Sequence, residues 1–151
     1  MTAPSTTIVA PDLFEADETA WLESMACLIR EGKTAELDYR HLAEYLEDMA
    51  RRDKREVSSR LALLVAHLLK WQFQPERRSG GWRETIAVQT QELADLLESG
   101  VLRNHAEEIL AKAYANGIRQ AVAETGLPAE TFPAECSYTI ESLLSVELGG
   151  E

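Results

Sequence analysis

The side chains best suited to chemistry stand close together in the run HLLKWQFQPERRSGGWR, from His67 to Arg83. His67, Lys70, Trp71 and Gln74 are spaced i, i+3, i+4 and i+7, which places them on one stripe of a helix, and Arg60 continues that stripe two turns earlier. Beyond Pro75 the chain supplies Arg77, Arg78, Trp82 and Arg83. Guanidinium groups fork onto carboxylates and phosphates, and an indole face holds a cation or stacks on a base. The set therefore suits a phosphate-bearing ligand or a short single-stranded nucleic acid. The competing reading is internal: Arg77 and Arg78 tie the loop to Glu44, Glu47 or Asp48, and Trp71 and Trp82 belong to the core.

A second set is acidic. His41, Glu44 and Asp48 fall at i, i+3 and i+7, so one helical face can present an imidazole and two carboxylates to a divalent metal. A di-metal bundle also needs Glu-x-x-His elements on other helices. Leu64 stands three residues before His67, and the acids near His105 are the following Glu107 and Glu108. A solvated helix face is expected, with no metal and no cofactor. Motifs for nucleophilic, phosphate-loop or zinc-protease chemistry (G-x-S-x-G, C-x-x-C, a Walker loop, H-E-x-x-H) do not occur. An enzyme reading survives only as a hydrolase-like general acid–base pair, His67 with a carboxylate of the second helix.

These residues need a scaffold, and the chain has 151 residues to build one, the length of a single ordinary domain with a real core. Apolar residues at 45% and charged residues at 27% exclude global disorder. The net charge of −11 excludes a uniformly basic nucleic-acid binder and disfavours nucleic acid as a partner. That charge is divided. Arg51 to Arg83 carries nine basic against three acidic residues, net +6, which leaves −17 on the other 118. Cys27 and Cys136 make neither a disulfide framework nor a zinc site and are expected as half-buried free thiols. The N-terminus does not read as a signal peptide, and no apolar run is long enough to span a membrane, so a cytoplasmic location is expected.

Helical periodicity accounts for the chain. Residues 1–11 read as a flexible tail and 12–151 as a single all-α domain. Asp12 with Glu15, or else Asp17, caps a first helix that carries Trp21, Leu22, Met25, Leu28 and Ile29 and stops at Gly32. Asp38 caps a second, with Tyr39, Leu42, Leu46 and Met49 on its apolar stripe. A kink or break is expected near Arg51–Asp53, although one long helix also fits. The third, central helix near residues 54–74 is apolar almost all round (Val57, Leu61, Leu64, Val65 and Leu68, with Ala62, Leu69 and Phe73) and ends at Pro75. A fourth starts at Ser79 or the glycines after it and closes at Gly100. Asn104 with Glu107 caps a fifth, ended by Gly126 and Pro128. A short last helix spans Thr139 to about Ser145. No strand pattern and no internal repeat is present. The fold class is all-α, a helical bundle of about five main helices plus a short C-terminal one.

The run HLLKWQFQPERRSGGW followed by RETI resembles the signature of the domain of unknown function 29 family of bacterial proteins. ELDYRHLAEYLEDMARRDKREVSSRL before it, and ETGLPAETFPAECSYTIESLL near the end, fit the same pattern. The resemblance runs from about Trp21 to Leu144. It implies a compact all-helical fold and supplies no catalytic residues. His41 stands where that family usually has Asn, which counts against a family-wide metal site there.

Three functional readings follow. The first is a non-enzymatic helical module that acts through a protein partner or as a homo-oligomer, because catalytic motifs are missing and opposite charges sit on one molecule. The second is phosphate-ligand or single-stranded nucleic-acid binding through residues 51–83. The third is the His67 enzyme.

Overall fold

Two helix-stop signals and one long uninterrupted helical pattern set the architecture. In the computed structural model, which describes residues 10–149, α1 spans Ala10–Ala16 and α2 Glu18–Arg30. A 3₁₀ turn at Thr34–Glu36 leads into α3, Tyr39–Phe73. α4 is Gly80–Leu96, α5 Gly100–Thr125 and α6 Ile140–Leu144. Among the described residues there is no strand, so the fold is all-α.

Asp17 is the N-cap of α2, its Oδ1 accepting the Ala20 N–H at 3.1 Å. Asp12 lies inside α1. Residues 1–9 of the expected tail lie outside the described residues, and Ala10 and Pro11 open α1. The expected second and third helices are one 35-residue helix with no break at Arg51–Asp53. The stretch holds neither Gly nor Pro, so its charge cluster sits on the outside of a helix that nothing interrupts. Ser79 caps α4 through the Trp82 N–H at 3.2 Å. Gly100 opens α5 instead of closing α4, because Ser99 accepts the Leu102 N–H at 3.3 Å. Asn104 is therefore an interior residue of α5. Gly126, at φ +74°, ends α5 in the left-handed conformation that favours glycine. A reciprocal Thr139–Ser142 capping box starts α6.

The described residues fall into two compact units that divide between Ala50 and Arg51, so α3 contributes to both. In the N-terminal unit the buried side chains are Trp21, Met25 and Asp38. Phe14 packs edge-on to Trp21 and stacks on His41 at 4.3 Å between ring centroids.

In the C-terminal unit α3 is the central element, buried almost continuously from Leu61 to Trp71. α4 returns antiparallel to it, with Trp82 beside Lys70 and Gln89 beside Arg60. α5 runs parallel to α3, meeting it at Ser58–His105, Val65–Gly117 and Lys70–Glu124. The segment after α5 folds back along the bundle. Phe132 meets Phe73 edge-on, the Tyr114 hydroxyl donates to the Pro133 carbonyl, and Arg103 pairs with Glu141 of α6.

Candidate functional site

The stripe singled out in the sequence faces inward. His67, Lys70, Trp71 and Gln74 are all buried, because neighbouring helices cover α3 on several sides. His67 donates through Nδ1 to the Leu63 carbonyl at 3.0 Å. Burial pushes its imidazole below the ordinary 6.5; the Leu63 and Glu124 oxygens oppose that shift and Lys70 reinforces it. Glu44 and Glu47, its expected acid–base partners, belong to the other unit. The Lys70 ammonium pairs with Glu124 of α5 and lies 4.9 Å from the centre of the Trp82 ring. Its methylenes run through the core while the head reaches a half-exposed carboxylate. Arg60 is held by Glu56 at 2.9 Å and Gln89 at 3.0 Å, with Glu92 at 4.0 Å.

Trp71 organises the rest of the predicted set. Arg78 lies 4.8 Å and Arg83 4.9 Å from its ring centre, and Arg78 Nε donates to the Trp71 carbonyl at 2.8 Å. These three side chains line a cleft of about 240 Å³ with Ser79 and Gly80 at the start of α4. Arg77 is exposed on the 3₁₀ turn Pro75–Arg77. Lys70, Arg60 and Arg78 thus have partners inside the C-terminal unit, on α4, on α5 and on α3 itself, where Glu56 meets Arg60 and the Trp71 carbonyl meets Arg78.

In the N-terminal unit, His41 pairs with Asp38. Its Nδ1 donates to Asp38 Oδ2 at 2.7 Å, and its backbone N–H to Oδ1 at 3.3 Å. The Trp21 indole N–H donates to the same carboxylate at 3.1 Å. Burial pushes the Asp38 carboxyl up, but the His41 and Trp21 hydrogen bonds together outweigh it and hold the group below 3.8. The sequence assigns Asp38 to capping alone; the Trp21 and His41 bonds make it the polar centre of this unit. Among the described residues no group of three or more His, Cys, Asp or Glu side chains is placed to hold a metal ion. Cys136 is a half-buried free thiol as expected, whereas Cys27 is free but exposed.

A further cationic surface joins part of the basic segment 51–83 to cations of α5. A cleft of about 440 Å³ opens between α3 and α5. From α3 it is lined by Arg51, Lys54, Arg55 and Ser58, and from α5 by His105, Ile109, Lys112, Ala113 and Asn116. A second cleft of about 350 Å³ shares Ser58 and Asn116 and adds Ser59, Ala62, Arg119 and Gln120. Together they form a groove with five Lys or Arg side chains, one His and no carboxylate among the lining residues. On α3 the lining positions Arg51, Arg55, Ser58 and Ala62 follow i, i+4, i+7, i+11, and on α5 His105, Lys112, Asn116 and Arg119 share one face in the same way. The Ser58 hydroxyl lies 3.4 Å from His105 Nε2 and bridges the two walls.

Gly117 sets the depth of this groove. A Cβ built there would lie 2.6 Å from Val65 Cγ1 and 3.0 Å from the Ala62 carbonyl oxygen, so the helices approach at a distance only glycine allows. A glycine in the middle of a 26-residue helix is the sequence signal that points to this approach. Lys112 and Arg119 carry no such signal, being single cations seven residues apart.

Among the described residues no helix is long and apolar enough to cross a membrane. No match is found among curated proteins or among solved structures. Comparison with protein families matches residues 13–148, nearly the whole chain, to Domain of unknown function DUF29. The chain belongs to that family.

Proposed function

We propose that this protein is a non-catalytic helical module that docks an acidic segment of a protein partner in the groove between α3 and α5. One observation carries the reading: in a chain of net charge −11, this groove is lined by five Lys or Arg residues and no carboxylate. Ile109 gives it a half-buried apolar side chain between the cations, over the buried Ala62 and Ala113 at its floor, which suits a helix laid lengthwise. Its walls supply no Phe, Tyr or Trp ring on which a base would stack, and the overall charge repels a long polyanion. The test is fluorescence anisotropy of a labelled, helix-forming Glu/Leu/Ala peptide. It should bind the wild-type protein, weaken as salt rises, and lose at least tenfold in affinity to Lys54→Glu/Arg55→Glu (roughly 1.4 kcal/mol). Equal affinity for both proteins would refute the reading.

A second reading rests on the Trp71 cleft. Arg78 and Arg83 beside one indole, with the first residues of α4 adjoining, suit a small phosphate-bearing ligand. Pyrophosphate should then change tryptophan fluorescence in wild type and not in Arg78→Ala/Arg83→Ala.

A further inference from the structure

Several cations of the C-terminal unit have carboxylate partners. Arg60 pairs with Glu56, Lys70 with Glu124, and Arg103 with Glu107 and Glu141. Among the described residues, none of the ion pairs involves Lys54, Arg55, Lys112 or Arg119 of the groove. The sequence explains the difference. No Asp or Glu stands three or four residues from Lys54, Arg55 or Arg119, and Lys112 has only Glu108 at that spacing. A chain with 26 acidic residues thus leaves these four cations uncompensated, and their field favours an anion from outside.

The four are grouped around one place. Ser58 and Asn116 line both clefts of the groove and so mark the junction between them. On α3, Lys54 and Arg55 stand one turn before Ser58. On α5, Lys112 stands one turn before Asn116 and Arg119 one turn after it. Neutral hydrogen-bonding groups lie among the cations: the Asn116 amide, the Ser58 hydroxyl and the His105 ring, whose Nε2 is 3.4 Å from Ser58 Oγ. Ser58 and Asn116 are half-buried, whereas Arg55, Lys112 and Arg119 are exposed and free to swing onto a ligand. A carboxylate offers such a place two oxygens in one plane and a single charge. A phosphoryl group offers three strong acceptor oxygens and a charge of about −1.5 to −2, which reach donors on both walls at once.

We infer that the junction of the two clefts is a phosphoryl subsite, in which a phosphorylated Ser or Thr of the docked segment seats its phosphate between Ser58 and Asn116 while Lys54, Arg55, Lys112 and Arg119 supply the counter-charge. The inference rests on the docking reading above and names the chemistry that its partner carries. Acidic side chains along the segment speed encounter, and the phosphate fixes its position, so docking responds to modification of the partner.

The test is fluorescence anisotropy of the full chain with labelled Glu/Leu/Ala peptides that differ only at the central residue, which is Ser, phosphoserine or Glu. Wild type should bind the phosphoserine peptide about tenfold more tightly than the Ser peptide and about fivefold more tightly than the Glu peptide. Lys112→Gln/Arg119→Gln, at two exposed positions, should keep its helicity by circular dichroism and reduce the margin over the Ser peptide to about twofold. Arg83→Ala, in the Trp71 cleft, should keep the full margin. Equal affinity of wild type for the phosphoserine and Glu peptides would overturn the inference and leave the groove reading standing, whereas binding of none of the three peptides removes both. A margin that survives Lys112→Gln/Arg119→Gln would also overturn it. So would displacement of the phosphoserine peptide by an equal concentration of inorganic phosphate, which makes free phosphate the ligand, or tighter binding of a labelled oligothymidylate, which makes nucleic acid the ligand.

Discussion

Gly117 of α5 lies against Val65 of α3 so closely that a single added methyl group would meet Val65 Cγ1 at 2.6 Å. Gly117→Ala should therefore push the helices apart and destabilise the C-terminal unit by about 1–3 kcal/mol, the usual range for overpacking a core. Urea unfolding followed by circular dichroism measures this. The same variant should weaken peptide binding, since both walls of the groove depend on that approach.

Lys70 and Glu124 make an unequal pair, one side chain buried and the other half exposed. Glu124→Gln should cost no more than about 1 kcal/mol, because solvent screens an exposed carboxylate. Lys70→Ala should cost more, about 2 kcal/mol or above, because it also removes the methylene packing and the contact with Trp82. Lys70→Met, which keeps the stem, should fall between them. Chemical denaturation of the three variants gives the order directly.

Asp38 gives the N-terminal unit an acid-sensitive centre. Its folded carboxyl titrates below 3.8, so the unfolded chain takes up the proton first as pH falls. The stabilisation is complete above 3.8 and is lost as pH drops through the lower, folded value. Asp38→Asn should remove this acid limb from a plot of urea midpoint against pH. The Trp21 indole N–H resonance should shift in the same variant, because that proton is bonded to Asp38 Oδ2.

His67 has the opposite charge type and the same sign of slope. Its imidazole titrates below 6.5 when folded, so between the two values the unfolded state holds more protons and stability rises with pH. Urea midpoints should fall as pH is lowered from about 6.5, the ordinary value for His. His67→Gln should flatten that part of the curve while leaving the Asp38 limb in place.

Much of the helical layout is legible in the residue pattern. Asp17, Ser79, Gly126 and Thr139 mark helix ends through local hydrogen bonding and backbone conformation, which a short window of sequence contains. Asn104 reads as a cap in the sequence while Ser99 is the one used, because both are good caps and only the surrounding packing chooses between them. The inward turn of the His67–Gln74 stripe is less legible. Lys and His on an otherwise apolar helix read as an exposed edge until α4 and α5 are known to cover it. The groove is the least legible feature. Arg51, Lys54 and Arg55 stand out as a charge run, but Lys112 and Arg119 join them only through the α3–α5 packing at Gly117.

The docking claim is tested most directly by residue-resolved amide NMR during titration with the acidic peptide. Shifts should concentrate at Ser58, Lys112, Asn116 and Arg119 along the groove, and those of Trp82 and Arg83 should stay small. Shifts confined to the Trp71 cleft, or none at saturating peptide, would contradict the account.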